Sequence, residues 1–468
     1  MTVERRLPFE HDPVAVAAAL ASASTEPHVV YENHGAVTWA EGEHATISVD
    51  AAGSLLTEGG RQRLFPADGR PLGSVTAAMG AVTAPVRRLH GWAGFELSHL
   101  LHGQEPPARH GPLAYLAVPS REILLDGRDA VLRAATEPDL DLLHRRLLDA
   151  AGYAAEHDAP AAGRIEVDLR ADAPGYLAAV GSAVADIRAG LLDKVILSRV
   201  VEVPGDIDLP ATYLAGRRGN DPARSFLFRL GGWEAAGFSP EIVVGVDAGG
   251  AVRTQPLAGT RAFENDPSVD GARRGELYRD AKEVFEHAIS VRLAADELAG
   301  VCAPDTVRID DFMSVKERGS VQHLASDVTG RLDAEHTPWD AFATLFPAVT
   351  ASGIPKSEAC RRIRDAEGEP RGLYSGAVLS VGPDGTMDAA LVLRTVFRRD
   401  GRTWLRAGAG VVAQSTPERE LEETVEKLRS VSRFLVPAGS TVSAGAAGAA
   451  GSTVANGSAA PRVPAAAS

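Results

Sequence analysis

The sequence has 468 residues, a formal net charge of −14 at pH 7 and 45% hydrophobic residues. This length allows one large domain or two to three ordinary ones, and the composition is ordinary for a soluble globular protein. The excess of acidic residues disfavours nucleic acid and anionic membranes as partners, so an anionic substrate would need local cations or a metal ion.

Cysteine usage and hydrophobicity restrict the compartment. Cys302 and Cys360 are the only cysteines and have no CxxC spacing, which indicates a reducing compartment and excludes a cysteine-rich zinc site. No apolar run approaches the roughly 18–20 residues that span a bilayer. The N-terminal stretch MTVERRLPFEHDP lacks the apolar core of a signal peptide. We therefore expect a soluble cytoplasmic protein.

The first third of the chain predicts mixed strands and turns, followed by a helix near residues 139–157. Residues 158–163, with sequence DAPAAG, predict a loop, and IEVDL at residues 165–169 predicts the first strand of a new region. This boundary divides the chain into an N-terminal part, residues 1–164, and a second region, residues 165–436.

Three positions in the second region carry chemistry that depends on burial. Lys194 opens the apolar strand KVILSRVVEV, where a lysine usually reaches back to water. The same residue at a pocket floor would be a usable base, because burial favours the neutral amine. Glu241 follows a Ser-Pro turn, where a glutamate is most often only a strand-edge charge. Gly259 in the predicted turn TQPLAGTR would let backbone N–H groups approach a ligand.

Two predicted helices each present a pair of carboxylates on one face. DAKEVFEHAISVRLAADEL carries Glu283 and Glu286, and PERELEETVEK carries Glu420 and Glu423, with Lys427 on the same face. A glutamate-rich helix is most often a solvated helix. Two such helices that face each other can instead hold a hard divalent cation such as Mg²⁺, which prefers carboxylates and waters. A metal site divided between these helices is our hypothesis.

The last third of the chain completes the predicted elements. Residues 371–397 predict two strands around an Asp-Gly hairpin, the second containing LVLRTV, and RAGAGVV predicts a glycine loop at residues 408–410. From Pro437 the chain is rich in Ala, Gly, Ser and Thr and has one charged residue, Arg462. Because it cannot bury enough apolar surface to offset its ordering entropy, we expect residues 437–468 to form a disordered tail.

Residues from about 165 to 435 carry an ordered series of motifs that resembles one enzyme family. The series reads DKVILSR, GFSPEIVV, QPLAGTR, KEVFEH, ERGSVQHLASDV, FPAVTASGIPK, PRGLYSGAV, LVLRTV, RAGAGVV and ERELEETVEK. It resembles the chorismate-utilising enzymes, which include anthranilate, aminodeoxychorismate, isochorismate and salicylate synthases. The resemblance implies an α+β fold, one large domain with two facing antiparallel sheets and helices packed outside. Strand–helix alternation alone would suggest a doubly wound parallel sheet.

Particular positions favour one branch of this family. Members that deliver ammonia to the ring carry glutamine where Lys194 stands, whereas members that deliver water carry lysine, because water needs a base to become a nucleophile. Ala258 stands where the aminodeoxychorismate branch has a nucleophilic lysine. FPAVTASGIPK and PRGLYSGAV resemble the salicylate synthases, which make salicylate for siderophores. The Tyr-Arg-Asp-Ala that precedes Lys282 departs from that branch and looks more like the wider family.

The resemblance implies chorismate as the substrate and Mg²⁺ as the cofactor. Glu286 and Glu423 would bind the ion, with Glu283 and Glu420 supporting it through waters, and the ion would orient the ring carboxylate and offset its charge. Which of the four glutamates bind the ion directly stays open.

The resemblance also assigns a catalytic pair and a set of binding residues. Lys194 would remove a proton from the water that attacks C2, and Glu241 on the opposite ring face would protonate the leaving C4 hydroxyl. The remaining residues are Gly259 and Thr260 beside the ring, Lys427 near the ring carboxylate, Arg394 and Tyr374 with the amides of Gly408 and Gly410 at the enolpyruvyl carboxylate, and His323 and Thr350 for positioning.

The implied reaction converts chorismate to isochorismate and then to salicylate and pyruvate. An isochorismate synthase that stops before pyruvate is lost is the alternative, since both steps share one pocket. Less favoured are an anthranilate synthase, which would need a partner glutaminase, and a non-catalytic scaffold, which has no chemical need for Lys194 and Glu241. The resemblance implies a monomer without a glutaminase subunit.

Overall fold

The computed structural model of the protein describes residues 3–70, 72–83, 88–107, 111–157, 163–318 and 321–439. Within these ranges the chain forms eleven α-helices and 23 β-strands. The helices are α1 (Pro13–Ser22), α2 (Gly73–Gly80), α3 (Leu97–Leu101), α4 (Glu137–Glu156), α5 (Ala173–Arg188), α6 (Leu209–Gly219), α7 (Pro267–Arg279), α8 (Ala281–Ala299), α9 (Pro338–Leu345), α10 (Lys356–Ala366) and α11 (Pro417–Ser432). The strands are β1 (Val3–Pro8), β2 (His28–Asn33), β3 (Ala36–Glu41), β4 (Ala45–Asp50), β5 (Gly53–Glu58), β6 (Arg61–Pro66), β7 (Leu89–Ala93), β8 (Ala114–Val118), β9 (Arg121–Leu125), β10 (Asp129–Ala134), β11 (Lys194–Glu202), β12 (Arg224–Leu230), β13 (Trp233–Ser239), β14 (Ile242–Val246), β15 (Ala251–Thr254), β16 (Leu257–Ala262), β17 (Arg308–Arg318), β18 (Val321–Arg331), β19 (Gly353–Ile354), β20 (Ala377–Val381), β21 (Met387–Leu391), β22 (Thr395–Arg399) and β23 (Arg402–Val411).

The strands form two antiparallel sheets. The first sheet has the order β1-β10-β9-β3-β2-β12-β13-β22-β23-β11-β19. The second sheet has the order β16-β18-β15-β14-β21-β20-β7-β8-β4-β5-β6, and β17 pairs with β18 beside this path. Every pairing between strands of the described ranges is antiparallel. The α+β prediction is therefore confirmed, and the doubly wound parallel sheet suggested by strand–helix alternation is wrong.

The two sheets face each other across an aromatic layer, and helices cover their outer faces. Phe226 and Phe228 of β12 belong to one buried cluster with Trp92 of β7 and Val378 of β20. Helices α1, α4, α6 and α11 bury their apolar faces on the first sheet. Helices α2, α8 and α9 cover the second. Full burial of one large apolar side chain contributes about 1.5–3 kcal/mol, so the layer between the sheets is a main source of stability.

Both sheets run through the boundary between the N-terminal part and the second region. In the first sheet β2 pairs with β12, and Val30 lies opposite Leu227. In the second sheet β7 pairs with β20, and Trp92 lies opposite Val378. The second region therefore completes each of its sheets with strands from the N-terminal part.

The chain passes between the sheets at several points, and two of them, here named the first and the second crossing, are neighbours. It leaves β13 of the first sheet through Pro240 and Glu241 and enters β14 of the second. It returns from β21 to β22 through residues 392–394. The Leu391 amide donates to the Glu241 carbonyl at 3.1 Å, so the two crossings lie side by side.

Two strand predictions are wrong. LVLRTV was predicted as part of one strand, but it contains the second crossing, where Arg394 has a φ of +50° that strand geometry does not allow. Residues 165–169 form no strand. At the end of this segment the backbone bonds to a side chain instead of a neighbouring strand. The Arg199 guanidinium donates to the carbonyls of Leu169 and Ala171.

Two glycine segments predicted as loop or turn are strands. Residues 408–410 belong to β23, where Gly410 lies opposite Ile196 of β11. A Cβ on Gly410 would lie 2.3 Å from Oε1 of Glu286, so glycine here permits close packing of α8 rather than a turn. The TQPLAGTR segment enters β16, and the register with β18 shifts between Ala258 and Arg261, so a bulge replaces the predicted turn.

The structure describes only part of the predicted loop between the two regions and only the start of the predicted C-terminal tail. Most of the predicted loop at residues 158–163 and residues 440–468 of the predicted tail lie outside the described ranges. Pro437, at the start of that tail, forms an isolated β-bridge with Ile207. Across the ranges that the structure covers, none of the helices has the length and hydrophobicity needed to cross a membrane.

The pairing of the short strand β19 with the start of β11 gives a testable prediction about how the fold positions Lys194. Gly353 pairs with Val195, has a φ of +151°, and a Cβ on it would lie 2.2 Å from the Lys194 carbonyl oxygen. We expect Gly353→Ala to lower the free energy of unfolding by more than about 1 kcal/mol, measured by urea denaturation.

Gly181 on α5 is the matched control, because nothing lies within 4 Å of a Cβ placed there. Gly181→Ala is expected to raise stability by up to about 1 kcal/mol, since alanine is the better helix former. Equal effects of the two substitutions would contradict the packing seen at Gly353.

Candidate active site

A cavity between the two sheets collects the residues that the sequence assigned to a site. The side chains and backbone that line it come from β11, β16, β18 and β23, from helices α8 and α11, and from both crossings. The assigned residues that line it are Glu241, Gly259, Thr260, Glu283, Glu286, His323, Thr350, Tyr374, Arg394, Gly408, Gly410, Glu423 and Lys427. Lys194 and Glu420, the other two assigned residues, lie directly behind this lining and bond to cavity-side groups.

Lys194 is completely buried at the start of β11. Its Nζ lies 2.9 Å from Oε1 of Glu286 and donates to Oγ of Ser290 at 3.2 Å. The reading in which this lysine reaches back to water at a strand rim is therefore wrong. Its amine lies behind the cavity lining, beside the carboxylate of Glu286, which lines the cavity.

Glu241 lies at the first crossing and is 3% exposed. Burial raises the pKa of its carboxyl group to about 8, which the hydrogen bond from Thr350 and the charge of Lys194 only partly oppose. The Thr350 hydroxyl donates to Oε1 of Glu241 at 2.6 Å. At neutral pH the cavity therefore holds a protonated carboxylic acid on a positioned side chain, as a general acid requires.

Helices α8 and α11 meet through alternating charges at one end of the cavity. Nζ of Lys282 donates to Oε1 of Glu420 at 2.9 Å and lies 4.0 Å from Oε2 of Glu423. On α11, Nζ of Lys427 donates to Oε1 of Glu423 at 2.7 Å and to the Gly408 carbonyl at 2.9 Å. The sequence did not assign Lys282, although its place beside Glu283 put it at the junction of the two helices.

Two of the four glutamates at this end have raised pKa values, whereas neighbouring lysines lower the pKa of Glu286 and Glu423 despite their burial. Burial, followed by the charges of Glu286 and Glu423, raises the pKa of Glu283 to about 7. Burial and the charge of Glu423 also raise the pKa of Glu420. Glu423 therefore interacts with each of the other three carboxylates, and the group attracts a further cation.

The donor set fits Mg²⁺, although the side chains now face lysines. In the described residues, no three His, Cys, Asp or Glu side chains surround one metal position. Oε2 of Glu420 is buried and has no hydrogen-bond partner, which is unfavourable unless a cation or water takes that place. Carboxylate oxygens are the donors that Mg²⁺ prefers, so this cluster of four glutamates fits the ion.

Arg394 and His323 form the opposite end of the cavity. Nη2 of Arg394 donates to Nε2 of His323 at 2.8 Å, and Nδ1 of His323 bonds to the Gly259 carbonyl at 2.9 Å. Burial and the charge of Arg394 lower the pKa of His323 to about 3, so the ring is neutral with its proton on Nδ1. Burial lowers the pKa of Arg394 to about 10, which leaves it cationic at neutral pH.

Two arginines line the cavity, and Arg394 has more donors to spare than Arg406. Within the described residues its guanidinium bonds to His323 alone. Arg406, which the sequence did not assign, donates to Ser198, to the Pro370 carbonyl and to Glu367. Because a guanidinium has five N–H donors, Arg394 has the most donors available to a carboxylate ligand, whereas Arg406 makes four hydrogen bonds within the protein.

Two glycines of the site, Gly259 and Gly408, occupy backbone positions where a larger residue would be strained or would clash. Gly259 has a φ of +63° at the bulge of β16, a conformation that other residues rarely adopt. A Cβ on Gly408 would lie 2.7 Å from the Leu197 carbonyl oxygen and 3.1 Å from the Tyr374 hydroxyl. Tyr374 is 3% exposed and lies against this glycine, so its hydroxyl faces the same part of the cavity as Lys427.

The raised pKa of Glu241 predicts a pH-dependent stability difference. Between pH 4.5 and about 8 the unfolded carboxyl group ionises while the folded one stays protonated, so the free energy of unfolding falls across this window. Glu241→Gln removes this loss. We expect the melting temperature of the variant to exceed that of the parent by a margin that grows from pH 5 to pH 8 and then levels off.

Glu426→Gln, at an exposed position on α11, is the control and should show no such trend. Thermal melts at pH 5, 6.5 and 8 provide the measurement. A margin for Glu241→Gln that stays constant with pH would show that the folded carboxyl group is already ionised at neutral pH.

Comparison with known proteins agrees with this geometry. The chain is 42% identical over 435 residues to a salicylate synthase of Mycolicibacterium paratuberculosis, covering 92% of this chain and 95% of that protein. It resembles the structure of anthranilate synthase component I from Streptococcus pneumoniae, with a TM-score of 0.70 and 25% identity. The match covers 85% of this chain and 92% of that chain. The chain shares the fold of the menaquinone-specific isochorismate synthase of Escherichia coli, with a TM-score of 0.69 and 20% identity. The match covers 93% of this chain and 94% of that chain.

The family match extends beyond the motifs that suggested it. The sequence model of the chorismate binding enzymes matches residues 26–433, whereas the motifs cover residues from about 165 to 435. Strands β2 to β10, which belong to the N-terminal part of the chain and to both sheets, thus lie within the matched range. This protein belongs to the family of chorismate binding enzymes.

Proposed function

We propose that this protein is a salicylate synthase that converts chorismate to isochorismate and then to salicylate and pyruvate. The observation that carries this proposal is the buried pair of Lys194 and Glu241 in one cavity, an amine beside a carboxylate and a protonated acid. The 42% identity to a salicylate synthase along nearly the whole chain supports it. Among the described residues, those that line the cavity lie between positions 196 and 431, which supports residues 165–436 as the chorismate-binding region.

In the first step, Lys194 accepts a proton from the water that attacks C2 of the ring. Ser290 and Glu286 hold the amine in place, so its lone pair has a defined direction once a proton leaves. Glu241 donates its proton to the C4 hydroxyl, which departs as water. One water adds and one leaves, so chorismate becomes its isomer isochorismate.

The carboxylate groups of the substrate need cations in an acidic protein. Arg394 has free donors for the enolpyruvyl carboxylate, and Tyr374 adds a hydroxyl beside the Gly408 backbone. Lys427, held by Glu423 and the Gly408 carbonyl, adds a positive charge near the ring carboxylate. These contacts set the orientation in which the catalytic pair reaches opposite faces of the ring.

Glu286 and Glu423 would hold Mg²⁺, with Glu283 and Glu420 supporting it through waters. When bound, the ion supplies charge compensation for the ring carboxylate and a template for its orientation. Lys282 then keeps its place between α8 and α11 as the fixed cation of the pair.

The second step eliminates pyruvate from isochorismate in the same cavity. Transfer of the C2 hydrogen to the pyruvyl carbon breaks the C–O bond and leaves the aromatic ring, and it needs conformational restraint more than an acid or base. His323 restrains Arg394, and Thr350 restrains Glu241, so both act in positioning. Gly259 and Thr260 close the cavity on the ring side.

Other activities of the family are less well supported. An isochorismate synthase would use the same cavity and stop after the first step. An anthranilate synthase would need ammonia, and Lys194 stands where ammonia-using relatives resemble one another in carrying glutamine. A scaffold would gain nothing from a buried acid held protonated at neutral pH. We also propose that the chain acts as a monomer, without a glutaminase subunit.

Turnover of chorismate tests the proposal directly. With Mg²⁺, we expect the purified protein to release salicylate and pyruvate in equal amounts, followed by salicylate fluorescence and chromatography. Lys194→Gln is expected to lower kcat at least about 100-fold, because it removes the base from the first step. Lys356→Gln, which alters another buried lysine paired with Glu297, is the control and should keep most of the activity.

Three other outcomes would change the assignment. Isochorismate that accumulates without pyruvate would identify an isochorismate synthase. Anthranilate formed with added ammonia would show that Lys194 does not select water. Chorismate bound without turnover would indicate a scaffold.

Metal binding gives a second prediction that does not depend on turnover. We expect Mg²⁺ at about 100 times its Kd to raise the free energy of unfolding by about 2.7 kcal/mol, measured by urea denaturation against EDTA. Glu423→Gln should abolish this increase, because Glu423 interacts with all the other carboxylates. The exposed Glu426→Gln should retain it. A response of the Glu423 variant equal to that of the parent would place the ion elsewhere.

A further inference from the structure

A buried carboxylate outside the catalytic set lies behind the cavity. Glu367 follows α10, and its side chain is 5% exposed. It accepts hydrogen bonds from the backbone and hydroxyl of Ser198 at 2.7 and 2.9 Å, and from Nη2 of Arg406 at 2.5 Å. It also accepts from Nε and Nη2 of Arg371 at 2.9 and 2.6 Å. One carboxylate therefore receives five hydrogen bonds from three separate segments.

Each of these three segments carries a residue of the cavity. Ser198 is on β11, the strand that begins with Lys194. Arg406 is on β23, two residues before Gly408. Arg371 precedes Tyr374 by three residues in the loop that leads to β20. The positions of all three cavity elements thus depend on the same carboxylate.

Arg371 extends this set of contacts to the other side of the cavity. Its guanidinium donates to the carbonyl oxygens of Ile196 and Ala351, both at 2.7 Å. Ile196 and Ala351 line the cavity, and Ala351 follows Thr350, the residue that holds Glu241.

Tyr374 has both arginines near its ring. The guanidinium carbon of Arg371 is 5.6 Å from the centre of the tyrosine ring, and that of Arg406 is 5.8 Å from it. Cations at this distance attract the face of an aromatic ring. Both guanidinium groups are buried, so they repel each other unless a negative charge lies between them, and Glu367 supplies it.

We propose that Glu367 is a positioning residue that sets the carboxylate-binding end of the cavity by holding Arg371 and Arg406 beside the ring of Tyr374. The inference rests on the proposed function for its substrate, but its geometry is independent of turnover. Neither arginine binds the substrate itself, because their donors already have protein partners. Glu367 acts on binding through Tyr374 and Gly408.

Steady-state kinetics of Glu367→Gln test this role. The amide keeps the size of the side chain but removes the charge that two arginines share, so we expect the KM for chorismate to rise about tenfold or more, the effect of weakening charge-assisted hydrogen bonds. The kcat is expected to fall less, because Lys194 and Glu241 keep their own partners. Glu367→Asp, which keeps the charge on a shorter arm, should give an intermediate KM.

Glu297→Gln is the matched control. It also breaks a buried ion pair of α10, between Glu297 and Lys356, but this pair bonds to carbonyls outside the cavity. We expect a loss of stability with little change in KM. A KM for Glu367→Gln that matches the Glu297→Gln value would overturn the proposal and leave Glu367 with a structural role alone.

A spectroscopic measurement separates this inference from the proposed function. The seven tyrosines can be labelled with 3-fluorotyrosine, and the Tyr374 signal can be assigned from its loss in Tyr374→Phe. Glu367→Gln should shift this ¹⁹F resonance, and Glu297→Gln should not. Absence of chorismate turnover by the parent protein would count against the proposed function alone, whereas an unshifted Tyr374 resonance would count against the role of Glu367.

Discussion

Opposite charges buried together where β11, α8 and α11 meet are the interaction on which this structure depends. Lys194 pairs with Glu286 between β11 and α8, and Lys282 pairs with Glu420 between α8 and α11. Removing one partner from such a pair typically costs about 3–5 kcal/mol, because the other charge stays buried without compensation. These pairs therefore hold helices against strands at the same place where the chemistry needs charged groups.

Part of the polarity of the cavity comes from two neighbouring points where the chain passes between the sheets. A strand interior presents apolar side chains to the layer between the sheets, and a crossing interrupts that pattern. Glu241 lies at one crossing and Arg394 at the other, and backbone hydrogen bonds hold the crossings side by side. Arg394 adopts a φ of +50°, a conformation that costs a non-glycine residue about 1 kcal/mol or more and that recurs at functional sites.

The fold alone does not select the reaction. The structure shares its architecture with an anthranilate synthase and an isochorismate synthase, although identity to these proteins is only 25% and 20%. What separates the activities is the chemistry of single positions on a common frame. Under the proposed function, the buried Lys194 and an acid whose pKa burial raises to about 8 suit the addition and loss of water.

The sequence by itself determined the family, the α+β class and the residues that meet in the cavity, because each motif keeps its residue types and order along the chain. It did not reveal Lys282 as a bridge between helices, or Glu367 as the shared partner of Arg371 and Arg406. The sequence also predicted one continuous strand through residues 392–394. An apolar stretch has the same residue pattern whether the chain stays in one sheet or crosses to the other. Only the tertiary structure decided these points, since burial and pairing of charges depend on segments that lie far apart in sequence and meet only when both sheets have formed.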